Sequence, residues 1–188
     1  MNFTVNGKLI DRVHNFRYLG RILSDDDDDT PCIRDNLKRA RWRWNSLARI
    51  LKREGANAIC MSRFYLTVVQ AVLLYGADSW VVKDSDRKKL QSFHRRALRY
   101  MTGHHIRKRG EKWEHPNHEL LAKQCRLFDI DTYIARRRGT LREYMDEFRK
   151  DLLDHATTTR RHNGDVNKLF WWDQKWIPKK EMQDLKKL

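Results

Sequence analysis

A mainly α fold carrying a small antiparallel β element at its N-terminus is what this sequence predicts, and three observations predict it. Asn6-Gly7 is flanked by the apolar-rich runs Phe3-Thr4-Val5 and Lys8-Leu9-Ile10, the pattern of a two-residue hairpin turn with positive φ. Two later segments repeat apolar residues at alternating steps of four and three, the period of an amphipathic helix. Between them lies Phe64–Gly76, the longest apolar run of the chain, interrupted only by Thr67 and Gln70. Apolar residues on nearly every face make it a helix surrounded by others, and it is too short for the roughly 20 residues of a membrane span.

Taken in order, residues 2–11 form the hairpin. Arg12–Ser24, with Val13, Phe16, Tyr18, Leu19, Ile22 and Leu23, forms a third extended run that pairs with it, so residues 1–24 are one β element. Asp25–Asp29 reads as a solvated acidic loop. Adjacent carboxylates converge poorly on one ion, and the spaced Asp/Asn positions and the glycine of an EF-hand are missing. Thr30-Pro31 starts the first helix, with Thr30 as N-cap and Pro31 at the first helical position. Its apolar stripe is Ile33, Leu37, Ala40, Trp44, Leu47 and Leu51, and beside it runs a polar row, Arg34, Lys38, Arg41, Asn45 and Lys52. Residues 31–53 hold eight basic side chains and one acidic one, Asp35. A solubilising face normally mixes signs, so this bias suits phosphate contact.

Gly55 separates this helix from the central one, which occupies about Ala58–Tyr75 and ends at Gly76. Asp84-Ser85 caps a third helix with Leu90, Phe93, Ala97, Leu98 and Met101, closed by Gly103. Lys88, Ser92, Arg95 and Arg99 form a row along it, and residues 87–112 contain ten basic residues against Glu111 alone. Residues 30–103 are therefore read as a three-helix bundle with two basic rows turned outward. His104–His118 is polar and reads as a loop anchored by Trp113. His104, His105, His115 and His118 lack the compact paired spacing of a zinc site with Cys125, so no metal is expected. Asn117 caps a short helix bearing Leu120, Leu121 and Leu127. Ile130, Ile134, Arg137, Leu141, Tyr144, Phe148 and Leu152 then mark a long amphipathic helix, interrupted by Arg137, which closes the 104–154 segment. Residues 155–188 read as a polar linker and a tail with Trp171, Trp172 and Trp176, aromatics suited either to base stacking or to a small hydrophobic fold-back.

Composition bounds the function. The 188 residues carry 40 Lys+Arg against 25 Asp+Glu, a net charge of +15, which favours a polyanion, nucleic acid first among them. Three widely spaced cysteines and no signal-peptide pattern suit an intracellular protein, nuclear or cytoplasmic, that is not membrane-bound. No nucleophile with its base, no phosphate-cradling glycine loop and no paired-carboxylate site is present, so neither catalysis nor a cofactor is expected.

Phe16-Arg17-Tyr18-Leu19-Gly20-Arg21-Ile22, a basic helix, Ala71–Trp80 and Leu90–Gly103 follow one another in an order and spacing that resemble the C-terminal part of reverse transcriptases from non-LTR (LINE-type) retrotransposons. The resemblance covers roughly residues 3–103. It implies that Tyr18, Leu19 and Gly20 correspond to the primer grip at the palm's edge. It also implies that the three helices form the thumb, which holds a template–primer duplex by its backbone, with Phe93, His94 and Arg95 on the third. The paired metal-binding aspartates of the palm are not matched in these residues, and Asp25–Asp29, lying after the grip, does not replace them. The expectation is thus a non-catalytic retroelement segment that binds RNA or DNA through Arg34, Lys38, Arg41, Lys88, Arg95 and Arg99, with the palm and fingers as a further partner. A helical protein–protein module built on residues 130–188, or a degenerate gene fragment without activity, are the competing expectations.

Overall fold

In the computed structural model, residues 3–26 and 28–148 are described; the Trp-rich tail and Leu152 lie outside them. Strands β1 (Phe3–Val5) and β2 (Lys8–Ile10) pair antiparallel around Asn6-Gly7, both at positive φ. The next run does not join them. It folds on itself as β3 (Asn15–Tyr18) and β4 (Arg21–Ser24), a separate two-stranded sheet with Tyr18 opposite Arg21. The cause is local: Leu19 and Gly20 both take positive φ, 46° and 83°, the requirement of the two-residue turn that matches strand twist.

Helix α1 (Thr30–Arg53) buries Ile33, Leu37, Ala40, Trp44 and Leu51. Its N-cap is Asp29, one residue earlier than expected, and the amide of Thr30 is satisfied by the Asp28 carboxylate at 3.0 Å. The acidic run is likewise not simply solvated. Asp29 is buried, accepting from Arg21 at 2.8 Å and from the Val81 amide at 2.7 Å, and Asp28 pairs with Lys83 at 2.8 Å. Burial would raise the Asp28 carboxyl, but hydrogen bonds from Lys83 and Thr30 outweigh it and hold the group at about 2.

The central apolar run is one continuous rod in three parts: α2 (Ala58–Phe64), a π-helical turn (Tyr65–Gln70) and α3 (Ala71–Leu73). Tyr65, Val69, Leu73 and Leu74 on it are fully buried. Helix α4 (Asp84–Thr102) ends at Gly103 in the left-handed region, as its sequence predicts, but its N-cap is Lys83, with no side-chain cap. Asp86 instead ties the helix starts together, accepting from Thr30 Oγ1 at 2.8 Å. Near the far ends the Tyr100 hydroxyl donates to the Ala48 carbonyl at 3.4 Å, so α1 and α4 lie side by side and run in the same direction.

His104–His118 is not a plain loop. It contains a third hairpin, β5 (Arg107–Arg109) with β6 (Lys112–Glu114), and Trp113 on it is exposed instead of anchoring anything. Helix α5 (His118–Cys125) is capped by Asn117, which accepts from the amides of Glu119 and Leu120. Helix α6 (Ile130–Phe148) inserts Ile130 and Ile134 into the same core that α1 and α4 share. Arg137, the residue that interrupts its stripe, donates to the Leu74 carbonyl at 3.2 Å, and Arg138 donates to the Trp80 carbonyl at 2.8 Å. Arg137 thereby satisfies a carbonyl freed where the central rod ends, and Arg138 one in the connection to α4. Among the described residues no helix is long and apolar enough to cross a membrane.

Candidate nucleic-acid interface

Helical geometry brings Arg34, Lys38 and Arg41 within successive turns of one face of α1, and all three are exposed. On α4, Lys88 is exposed while Arg95 and Arg99 are half-buried along their stems. Among the described residues none of these six cations has an acidic partner. Several acids near the two helices are engaged elsewhere: Asp35 with Arg17 and Arg39, Asp131 with Arg87, Asp86 with Lys89, Asp29 with Arg21. The pKa of Arg99 is lowered by burial and then by its neighbours Arg96 and Arg95, and that of His118 by burial and then by Arg95 and Arg99. Arg95, Arg96 and Arg99 therefore concentrate positive potential on the second half of α4, whereas Arg87 and Lys89 in its first half are paired with acids.

Between the helices that carry the two rows lie Asn45 and Lys52 of the α1 row together with Arg49 and Arg96, which belong to neither row. Between α1 and α4 runs a shallow groove of about 440 Å³ lined by Trp44, Asn45, Ala48, Arg49, Arg96 and Tyr100. Lys52 lies 5.5 Å from the Tyr100 ring centroid. Arg96 was hidden because it falls between the apolar stripe and the row that α4's period marks; only the parallel packing of α1 shows that it faces Arg49's groove.

Tyr18, Leu19 and Gly20 sit at the tip of the β3–β4 hairpin, away from α4. Tyr18 and Leu19 are exposed. The tip is clamped from the bundle: the Tyr75 hydroxyl donates to the Leu19 carbonyl at 2.8 Å, and Arg39 Nη2 donates to the Gly20 carbonyl at 3.2 Å. Asn36, fully buried, orients Arg39 and donates to the Tyr75 carbonyl at 2.9 Å. Gly20 is required by its φ, since a Cβ there would meet Tyr75 at an ordinary 3.8 Å.

Comparison with protein-family models, with curated proteins and with solved structures finds no match. The chemistry must be read from the side chains alone. Of Phe93, His94 and Arg95, only Arg95 reaches the surface region; Phe93 and His94 are buried. His94 Nε2 donates to the Phe128 carbonyl at 3.0 Å, and its Nδ1 accepts from the Tyr65 hydroxyl at 3.0 Å. Both ring nitrogens are thus occupied within the core, and burial holds the imidazole down at about 4, so it serves as a neutral crosspiece between α2–α3, α4 and the turn before α6. Cys125 is buried, its thiol pushed up to about 11 by desolvation, which disfavours the thiolate a metal or an electrophile would need. Among the described residues no group of three or more His, Cys, Asp or Glu is placed to hold a metal ion. What remains is a surface suited to binding anions along a line.

Proposed function

We propose that this chain is a thumb-like nucleic-acid-binding element, similar to the region that follows the palm in non-LTR reverse transcriptases, and that it holds RNA- or DNA-containing duplexes by their phosphates without reading sequence. The observation that carries the reading is the pair of basic rows on two parallel helices, six cations with no acidic partner among the described residues, beside a groove that adds Arg49 and Arg96. Point charges at helical spacing address a backbone, whereas sequence readout needs planar side chains aimed at base edges. The β3–β4 tip, held rigid by Tyr75 and Arg39, supports the primer-grip correspondence of Tyr18, Leu19 and Gly20. No catalytic group is assigned; in this reading chemistry belongs to a palm-bearing partner.

Reversing Arg34, Lys38, Arg95 and Arg99 to Glu together is expected to abolish duplex binding at physiological salt. Reversal at Arg12 and Arg53, which already pair with Asp25 and Glu54, is expected to leave most of it. Fluorescence anisotropy with a mixed-sequence duplex reads both. Full affinity in the fourfold variant moves the footprint elsewhere.

A further inference from the structure

A groove of about 980 Å³ lies between α4, α5 and the first turns of α6. Its walls include the apolar surfaces of Leu66, Leu98, Leu127 and Phe128, and its lining carries Arg95, Lys123, Arg126 and Arg136 against Glu119 and Asp129. Arg95 belongs both to this groove and to the outer row of α4, so the groove opens directly beside the proposed phosphate track. Arg126 borders it from a left-handed backbone conformation at φ 53°, the C-cap of α5.

We propose that this groove is a subsite for an unpaired nucleotide of a strand that leaves the duplex along α4. This rests on the nucleic-acid reading above and adds a preference to it. The chemistry is amphiphilic: an apolar, partly aromatic floor accepts a base face, and excess cations at the mouth accept the flanking phosphates. The volume lies in the range of pockets that enclose a small ligand. A duplex cannot enter, because its bases are stacked and paired, so only a single-stranded segment benefits from the floor. The net positive lining also disfavours a cationic occupant.

The test compares the full chain's affinity for a blunt duplex and for the same duplex with a four-nucleotide single-stranded extension carrying 2-aminopurine. The extension is expected to tighten binding at least about fivefold, the low end of one stacked base, and to change the 2-aminopurine emission. Lys123→Glu combined with Arg126→Gly alters only exposed positions and gives the left-handed cap the residue that prefers it. That variant is expected to lose the gain for the extension while keeping blunt-duplex affinity. Equal affinity for both nucleic acids in the wild-type chain, or an undiminished gain in the variant, overturns the subsite and leaves the duplex reading standing. Displacement of the extension by an acidic peptide or by free mononucleotides, with no preference for the extended duplex, assigns the groove to another occupant and overturns it as well. Absence of binding to either nucleic acid at low salt overturns both readings together.

Discussion

Polar side chains buried in this molecule include Asn36, Asp86, Asp29 and His94. His94 is the first case. In the unfolded chain its imidazole titrates near 6.5, and in the core at about 4. Between those values the unfolded chain takes up a proton that the folded chain refuses, so stability falls as pH drops below about 6.5 and the loss levels off below about 4. The full interval corresponds to about 3 kcal/mol. Urea unfolding at several pH values checks this: His94→Gln is expected to be less stable at neutral pH and to lack that part of the pH dependence. Asp29 is the second case. Removing its carboxylate in Asp29→Ala leaves Arg21 part-buried without its acid and the Val81 amide without its acceptor, an expected cost of about 3 kcal/mol measurable by the same unfolding. Neither role was legible in the sequence. Asp29 belongs to an acidic run that reads as a solvated loop, and the residues around His94 carry no mark of its place in the core; burial, a tertiary property, decides both.

At the scale of elements, the helices were legible because their apolar period is long and repeated: of the stripe Ile33, Leu37, Ala40, Trp44, Leu47, Leu51, all are buried as the spacing predicts except Leu47, which is half-buried. Asn117 and Gly103 also act where the sequence places them. Short-range turn chemistry was read less well. Leu19-Gly20 closes its own hairpin although Leu carries no preference for positive φ, which is why Arg12–Ser24 looked like one strand. That strain predicts a gain: Leu19→Asn, whose side chain tolerates the left-handed region, is expected to raise stability by about 1 kcal/mol, since Leu19 is exposed and contributes little packing. Loss of stability in that variant contradicts the turn assignment. The π-helical turn at Tyr65–Gln70 has no signature in the apolar run, because apolar residues stand on nearly every face there; the rod nonetheless leaves Phe64, Thr67, Ala71 and Tyr75 exposed along one side, so it is not enclosed all round as the run predicts. The turn's consequence is structural: Tyr65 reaches the His94 imidazole, and Leu66 reaches the groove under Arg95.

At the scale of the whole molecule, Asp28, Asp29, Asp86 and Asp131 tie separate elements together, and among the described residues the six cations of the two parallel rows have no acidic partner. The row residues were legible as a charge bias, but their arrangement was not. The helix that carries Arg34, Lys38 and Arg41 lies beside α4 through a shared core and through the Thr30–Asp86 and Tyr100–Ala48 hydrogen bonds, which join residues more than fifty positions apart. If the six row cations neutralise six phosphates, the logarithm of the duplex association constant falls linearly with the logarithm of salt concentration at a slope of about −5. A salt titration of duplex binding by the full chain measures this directly. The predicted result is a roughly thousandfold loss of affinity between about 50 and 200 mM salt, with the slope reduced by about one for each row cation removed. A dissociation constant unchanged over that range contradicts the account.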